Sequence, residues 1–312
     1  MRCEMSETTL HAAGCALCGT KASATELYPS NFDLEAFNPR TFSARRLPDR
    51  IHYRMVKCDA CGLVRSDPVA DLQTLAQLYA GSTFDYGTEV DGLKRTYGRY
   101  LSRLDKILEH KDSLLEIGCG NGFFLEEALL RGFRNVRGVE PSAEAISKAG
   151  AHVRNAIVCD IMRPGLFDPG SFDAICLFQV FDHISDPGSL LDECFHVLKP
   201  GGVVLILNHN IQALSARILG ERSPIIDIEH TYLYSPKTLS RLVQAHGLLV
   251  QETGMVWNHY TIHYLVRLIP LAEAIKRRLL MILSKSVLGR LPLLMPLGNL
   301  YLVAQKPKSL PR

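Results

Sequence analysis

A glycine-rich turn near residue 118 restricts the fold of this chain more than any other feature of its sequence. The apolar stretch at residues 114–117 predicts a buried strand, and Gly118, Gly120 and Gly122 follow it at alternate positions. Glycine has no Cβ, so the backbone can turn tightly and approach a ligand, and a helix that follows offers free N–H groups. The pattern predicts a strand, turn and helix that bind a ligand at the turn.

Two acidic residues around this turn indicate the kind of ligand. Glu140 ends the next predicted strand, eighteen residues after Gly122, where a carboxylate can accept hydrogen bonds from both hydroxyls of a ribose. Glu116 precedes the pattern GxGxG, and a carboxylate there suits a cationic amino-acid group better than a pyrophosphate. We therefore predict a ligand that resembles a nucleoside and carries little phosphate.

Short apolar runs alternate with helical patterns along the rest of the chain. The runs predict seven buried strands, at residues 113–117, 135–139, 156–159, 172–178, 203–207, 248–252 and 299–305. Ser235 and Pro236 have the sequence of a helix start, and Gly247 that of a helix end. Strands separated by helices imply an α/β fold, with a mainly parallel sheet and helices on both faces.

Four of the nine cysteines form two CxxC pairs, Cys15 with Cys18 and Cys58 with Cys61. Such pairs indicate metal ligation in a reducing compartment rather than a secreted disulfide framework. Four thiolates leave a zinc ion no open coordination position, so we predict a structural zinc site. A redox pair and a nucleic-acid-binding ribbon are alternatives, although the 39 residues between the pairs lack a dense run of basic and aromatic side chains.

We expect three successive parts in the chain. They are a zinc-binding segment at residues 1–70, a lid and amphipathic helix at residues 71–112, and the domain that contains the sheet at residues 113–306. Apolar residues recur with a helical period between residues 92 and 111. Tyr79, Phe84 and Tyr86 precede this helix, and they could either cover the ligand or pack between the zinc-binding segment and the sheet.

The motifs from about residue 92 to residue 305 resemble those of class I S-adenosylmethionine-dependent methyltransferases. The glycine turn is similar to their first motif, residues 138–142 to the ribose-binding second, and residues 159–161 to the third, whose acid contacts the adenine amino group. Residues 172–187 are similar to the fourth motif, and residues 198–202 to the turn before the fifth strand. The resemblance implies a Rossmann-like methyltransferase sheet and S-adenosylmethionine (SAM) as the cofactor. It places these residues at the cofactor: Glu116, Gly118, Cys119, Gly120, Gly122, Glu140, Pro141, Asp160, Ile161, Phe178 and Gln179.

The cysteine pairs resemble the N-terminal zinc-binding segment found before bacterial methyltransferases of sugar and polysaccharide pathways. This resemblance implies O-methylation of a sugar, a glycolipid or a related secondary metabolite. One alternative is a C-methyltransferase on a nucleotide-linked ketosugar, but the long second domain of those enzymes is not evident. Another is a zinc-ribbon nucleic-acid methyltransferase, although the fourth motif lacks the Asn/Asp-Pro-Pro-aromatic sequence that methyltransferases of base amino groups use.

Three histidines are candidates for the catalytic base. The acceptor must lose a proton during methyl transfer, and one aligned base near the methyl group suffices. His183 follows the fourth predicted strand and is the best placed by sequence, whereas His209 and His230 follow the fifth; each could equally be a hydrogen-bonded scaffold residue. Residues 179–183 are also similar to the ExxEH sequence of ubiquinone-type O-methyltransferases, but Gln179 replaces an acid, which argues against a catalytic divalent metal.

A basic amphipathic insertion occupies residues 255–298, between the last two predicted strands. It contains six lysines or arginines and one acid, and Pro270 is expected to begin a helix. Apolar positions beside the basic residues at 276–278 favour the boundary of an anionic membrane leaflet, or the binding of a lipid-linked acceptor. The alternative, which is the commoner arrangement, is that the apolar residues at 279–283 pack onto the sheet or form a dimer contact.

Composition and charge exclude several other classes of protein. A hydrophobic share of 47% and a charged share of 21% are typical of a folded chain, and a net charge of +3 is too small for a nucleic-acid partner to be expected. The sequence has neither a signal-peptide pattern near its start nor an apolar run long enough to span a bilayer. We expect a cytoplasmic enzyme with a small-molecule acceptor, and peripheral membrane contact through the insertion is the alternative.

Overall fold

The structure is a computed structural model that describes residues 10–21, 23–33, 38, 41–42, 50–81, 90–269 and 271–309. Its strands are β1 (Leu10–His11), β2 (Ala24–Tyr28), β3 (Met55–Cys58), β4 (Val64–Ser66), β5 (Val69–Ala70), β6 (Ser113–Ile117), β7 (Asn135–Val139), β8 (Ile157–Val158), β9 (Phe172–Phe178), β10 (Leu198–His209), β11 (Tyr232–Leu233), β12 (Leu249–Met255), β13 (Asn258–Thr261), β14 (Pro292–Met295) and β15 (Asn299–Gln305). Its helices are α1 (Leu72–Ala80), α2 (Val90–Leu101), α3 (Phe123–Leu130), α4 (Ala143–Ser147), α5 (Ala151–Arg154), α6 (Pro187–Val197), α7 (Leu214–Leu219), α8 (Pro236–Ala245), α9 (Ile262–Leu268) and α10 (Glu273–Ser284). Short 3-10 turns lie at Ser102–Lys106, Phe181–His183, Gly220–Arg222 and Leu288–Arg290.

A seven-stranded sheet of order β12-β15-β10-β9-β6-β7-β8 forms the centre of the fold. The five strands from β10 to β8 run parallel, and β15 is antiparallel to both of its neighbours. The chain order reverses between β6 and β9, so the carboxyl ends of these strands border the crevice where ligands bind in open α/β sheets. The predicted α/β, Rossmann-like fold is confirmed.

Alternate residues along the strands pack on opposite faces of this sheet. Leu115 and Ile175 belong to the core beneath α6 and α8, whereas Leu114 and Cys176 belong to the core beneath α2 and α3. Every residue of β9 is buried, as expected for a strand covered on both faces. The strands β6, β7, β9 and β15 have the predicted bounds, while the edge strand β8 is shorter than predicted.

The N-terminal segment, residues 10–70, is joined to the central domain by strand pairing. Its strands β2, β3 and β4 form a second sheet whose fourth strand is β11, with Tyr232 opposite Arg65 and Leu233 opposite Val64. Arg65 is buried and donates from Nε to the carbonyl of Ala13. This sheet therefore needs residues from the N-terminal segment and from Tyr232–Leu233, and the predicted boundary at residue 70 stays a prediction.

Local signals set the helix bounds as expected. Ser235 caps α8 through a capping box with Thr238, and Gly247 follows it with a φ of +81°. In the insertion, β13 and β14 form a hairpin around α9 and α10. Pro270, the predicted helix start, lies outside the described residues, as do Phe84 and Tyr86. No helix in the described ranges combines the length and the apolar character needed to cross a membrane.

Candidate active site

A cavity of about 950 Å³ lies at the carboxyl ends of the parallel strands. We call the part near Gly118, Glu140 and Asp160 its glycine end, and the part near the three candidate histidines its histidine end. The walls include these predicted site residues: Gly118, Glu140, Pro141, Asp160, Ile161, Phe178, Gln179, His183, His209 and His230. The walls do not include Glu116, Cys119, Gly120 and Gly122, which lie behind them.

The glycine turn has the backbone conformation that its sequence predicts. Gly118, Gly120 and Gly122 have φ values of +72°, +54° and +70°, which glycine adopts without strain. A Cβ at position 118 would lie 2.4 Å from Cγ2 of Val180. The turn therefore requires glycine at this position, both for its φ and for the close approach of the chain after β9.

Backbone amides hold Glu140 at the carboxyl end of β7. Its Oε2 accepts from Gly120 N at 2.9 Å, and its Oε1 accepts from Ser142 N at 2.9 Å. Burial raises the pKa of Glu140, and these two hydrogen bonds oppose that rise. Each carboxylate oxygen can accept a further bond, so the group fits two ribose hydroxyls.

Glu116 lies beneath the turn rather than in the cavity wall. Its side chain is buried, and its Oε2 has no hydrogen-bond partner among the described residues. Burial, together with the nearby charge of Glu140, raises the pKa of Glu116 well above its usual value. An acid in this position can stabilise the turn, or it can interact with a cation that is bound in the cavity.

Asp160 already has partners in this structure. Its Oδ1 accepts from Ile161 N at 2.8 Å, and its Oδ2 accepts from Arg163 Nε at 2.9 Å. Arg163 also lines the cavity. An adenine amino group could still share the remaining acceptor positions, but the ion pair with Arg163 was not expected from the sequence.

Asp182 organises the histidine end. It is fully buried, and its Oδ2 accepts from His209 Nδ1 at 2.6 Å. A carboxylate only accepts, so Nδ1 is the protonated nitrogen of the neutral His209 ring and Nε2 carries the lone pair. Burial by itself raises the pKa of Asp182, but the neighbouring histidines, His209 foremost, hold it well below its usual value. The pair has the arrangement of a base and the acid that orients it.

The other two candidate histidines adjoin the same carboxylate. His183 Nε2 lies 3.8 Å from Asp182 Oδ1, and His230 Nε2 lies 4.0 Å from Asp182 Oδ2. The Nδ1 atom of His183 forms a hydrogen bond with the hydroxyl of Tyr79, and that of His230 forms one with the carbonyl of Ile225, each at 2.9 Å. The ligand-type atoms of Asp182, His183 and His230 all lie within 4.8 Å of one another, a spacing that is compatible with a bound cation.

Burial keeps two of these histidines neutral. Burial first, and then the proximity of His209, lowers the pKa of His230 to about 3 and also lowers that of His183. The structure thus brings together the three histidines that the sequence offered as alternatives. Sequence reasoning did not assign a role to Asp182, although its position beside His183 in the ExxEH-like stretch was an available signal.

The insertion supplies one wall of the cavity, which the sequence did not predict in detail. Its contribution is mainly apolar and comprises Asn258, Tyr260, Tyr264, Leu265, Ile269, Met295, Leu297 and Gly298. Asn258 is buried and its Nδ2 has no hydrogen-bond partner among the described residues. No local pattern could have identified these residues, because the hairpin of β13 and β14 turns them towards the cavity.

The four predicted metal ligands, Cys15, Cys18, Cys58 and Cys61, form one cluster. Their sulfur atoms lie within 4.8 Å of one another, with 3.4 Å between Cys15 and Cys61 and 3.5 Å between Cys18 and Cys58. Thiolates on a tetrahedral zinc ion, 2.3 Å from the metal, are separated by about 3.8 Å. The cluster is compatible with a structural zinc ion.

Both halves of the cysteine cluster have the same backbone turn. Gly19 N donates to Cys15 O at 2.7 Å, and Gly62 N donates to Cys58 O at 2.8 Å, with φ values of +71° and +79° at the glycines. Hydrogen bonding by Thr20 lowers the pKa of the exposed Cys18 to about 6. A turn repeated around two CxxC pairs is what two metal-binding knuckles require.

Sequence comparisons agree with this geometry. Residues 90–253 match a family described as a methyltransferase domain. The ubiquinone biosynthesis O-methyltransferase of Cupriavidus pinatubonensis is 29% identical over 159 residues, which are 46% of this chain and 64% of that protein. The protein of that name from Chromobacterium violaceum is 29% identical over 177 residues, 51% of this chain and 76% of that protein.

A solved SAM-dependent methyltransferase from Archaeoglobus fulgidus is 19% identical, with a TM-score of 0.46 over 70% of this chain and 97% of that one. The family match covers more than half of the 312 residues, from α2 into β12. It therefore contains the glycine turn, Glu140, Asp160, Asp182 and the three candidate histidines. The chain belongs to the methyltransferase domain family, whose cofactor is S-adenosylmethionine.

Proposed function

We propose that the chain is a SAM-dependent O-methyltransferase that acts on a hydroxyl of a small-molecule acceptor. The single observation that carries the proposal is the His209–Asp182 pair in the wall of the cavity that begins at the glycine turn. When bound, S-adenosylmethionine supplies a methyl group on a positively charged sulfur atom. Glu140 would hold its ribose, Asp160 its adenine, and the backbone around Gly118 its amino-acid part, as the family resemblance implies.

His209 is the proposed general base. A hydroxyl that becomes an ether must lose its proton, and Nε2 of His209 has the lone pair to accept it. Asp182 then stabilises the imidazolium through the 2.6 Å hydrogen bond at Nδ1. Among the described residues, His183 and His230 have no such hydrogen bond to a carboxylate, so the proposal places the base at His209 rather than at His183.

The relatives support O-methylation, because both are named as O-methyltransferases. The apolar walls around Tyr264, Ile269 and Leu297 favour an acceptor with an apolar part, such as a glycolipid, over a nucleotide-linked ketosugar. A sugar acceptor and a cytoplasmic location stay predictions. The chain covers 64% of the Cupriavidus protein, so the acceptor of that protein is not transferred to this chain.

Two measurements test this function. Titration calorimetry should show SAM binding, and purified enzyme with methyl-labelled SAM should transfer the label to an oxygen atom of a compound in a lipid extract. His209→Asn should abolish transfer while SAM binding persists. Absence of SAM binding would contradict the proposal, as would label on carbon. Transfer that requires added Mg²⁺ or Mn²⁺ would place a cation, rather than His209 alone, at the histidine end.

We also propose that the insertion contacts an anionic membrane surface and receives a lipid-linked acceptor there. On α10, Ile282 is 66% exposed, and Arg277 and Arg278 are exposed on the same helix. The alternative of packing onto the sheet does not hold for Ile282, because α10 lies against α9 and the turn at Leu288–Arg290. The alternative of a dimer contact stays a prediction. Apolar side chains with adjacent cations favour the boundary of an anionic leaflet.

The exposed apolar surface continues into the cavity. Ile269 is 47% exposed and also lines the cavity. The helix α7 also contributes Leu219 and Ser215 to the wall, while Leu214 and Ile218 of the same helix are exposed. An acceptor with an apolar tail would therefore meet apolar side chains both on the surface and in the cavity wall.

Vesicle co-sedimentation tests the membrane proposal. The protein should bind vesicles of phosphatidylglycerol and not those of phosphatidylcholine, and Arg277→Glu with Arg278→Glu should reduce binding. A matched control makes the same charge change on α8, Lys237→Glu with Arg241→Glu, outside the insertion. Equal binding by the two variants, or binding to neither vesicle by the native protein, would contradict the proposal.

A further inference from the structure

Tyr79 enters the histidine end from a part of the chain outside the family match, which begins at residue 90. It lies near the end of α1, the helix that follows the N-terminal segment. Its hydroxyl is 2.9 Å from Nδ1 of His183, and it lines the cavity. The ring also meets Phe42 edge-on, with centroids 5.8 Å apart, so the N-terminal segment holds Tyr79 in place.

The surroundings of Tyr79 keep its hydroxyl protonated. Burial raises the pKa of Tyr79 well above its usual value, and the other groups that face it, Glu229, Tyr53, Asp227 and Asp182, act in the same sense. Tyr79 is therefore a neutral phenol that can donate its proton. A phenol that donates to Nδ1 leaves the proton of a neutral His183 ring on Nε2.

The protonated Nε2 of His183 then faces an oxygen that needs a donor. Asp182 Oδ1 is buried and has no hydrogen-bond partner among the described residues, and His183 Nε2 lies 3.8 Å away. A small movement of the His183 ring toward Asp182 would complete this hydrogen bond. Asp182 would then be held from both sides, by His183 at Oδ1 and by His209 at Oδ2.

We propose that Tyr79 is a positioning residue, which fixes the Nε2–H tautomer of His183 and through it the orientation of the Asp182 carboxylate toward His209. The N-terminal segment thereby contributes to the reaction site without contacting the acceptor. The consequence for catalysis rests on the proposed function, whereas the tautomer of His183 is a property of the protein alone.

The tautomer can be measured without any acceptor. Long-range ¹⁵N–¹H spectra of histidine-labelled protein, with His183 assigned from a His183→Asn variant, should show Nε2 protonated and Nδ1 bare. Tyr79→Phe should move the Nδ1 resonance and populate the other tautomer. The control is Tyr232→Phe, which removes another buried hydroxyl, bonded to Gly14 O at 3.3 Å, between the same two parts of the molecule. The control should leave the His183 signals unchanged.

The kinetic arm separates positioning from loosening of the fold. Tyr79→Phe should lower kcat by about tenfold and leave KM for SAM unchanged. A native His183 protonated at Nδ1, or His183 signals that Tyr79→Phe leaves unchanged, would overturn the proposal. Failure of methyl transfer with the expected tautomer would instead contradict the proposed function.

Discussion

The glycine end and the histidine end of the cavity are built in opposite ways. The glycine end comes from one short stretch, in which backbone amides of Gly120 and Ser142 hold Glu140. The histidine end gathers Tyr79, Asp182 and His209 from separate parts of the chain. The first is specified by local sequence and the second by tertiary packing, so a substitution at one end should leave the other end intact.

The largest expected effect is at the histidine end. His209→Asn should lower kcat by about 10² to 10⁴-fold, the usual contribution of a general base, while the Kd for SAM stays unchanged. Single-turnover kinetics and calorimetry measure the two quantities. His152→Asn, at a largely exposed position, is the matched control. Loss of SAM affinity in His209→Asn would show that the two ends are not independent.

Removal of one thiolate should act on the histidine end from a distance. Ser66 lies eight residues after Cys58, and its Oγ donates to His230 O at 2.9 Å. A disordered cysteine cluster should therefore disturb this contact. Changes outside the ligand shell already cost metal sites about 10 to 100-fold in affinity, and loss of a ligand should cost more. We expect metal analysis of Cys58→Ser to show loss of zinc, and the variant should unfold at a lower temperature. It should lose methyl transfer while it still binds SAM. Cys159→Ser, at an exposed thiol, should match the native protein.

At the glycine end, Glu140→Ala should weaken SAM binding by about 1 to 3 kcal/mol, because ribose hydroxyls would lose their acceptor. Calorimetry gives the change directly. Glu144→Ala, at the nearby exposed residue that pairs with Lys148, should bind SAM as the native protein does. An unchanged affinity in Glu140→Ala would remove the assigned role of this carboxylate.

The last effect is on stability and depends on pH. His230 has a pKa of about 3 in the folded chain against an ordinary 6.5, so its contribution is complete above pH 6.5 and is lost as the pH falls from there towards 3. The native protein should lose about 2 kcal/mol from this group between pH 7 and pH 5. Glu116 has the opposite effect on the free energy of unfolding, because a carboxyl group whose pKa is raised in the folded state stabilises that state at acidic pH. The test is therefore the difference between native protein and His230→Asn in urea unfolding at the two pH values; a constant difference would contradict it.

Much of the fold was predictable because its signals are local. The strands β6, β7, β9 and β15 follow from apolar runs, and α8 follows from Ser235 and Gly247 at its ends. The glycine turn was predictable because positive φ values and close packing leave few other residues possible there.

The rest of the site depends on contacts between distant segments. The ion pair of Asp160 with Arg163 and the approach of Tyr79 to His183 have no sequence pattern of their own. The choice among the three histidines rests on which one reaches Asp182 Oδ2, and a single sequence does not give that distance. The insertion was predicted as an amphipathic stretch, but its place in the cavity wall follows from the hairpin that carries it.

The pairing of β4 with β11 has a consequence for synthesis on the ribosome. Ser66 and His230 are 164 residues apart, so the N-terminal segment is made long before its fourth strand exists. At about 5 to 20 residues per second, the ribosome needs roughly 8 to 33 seconds to produce that partner. During this time β4 presents an unpaired edge, where another chain could add. A cysteine cluster that binds its metal early would keep β2, β3 and β4 in register until β11 has been synthesised.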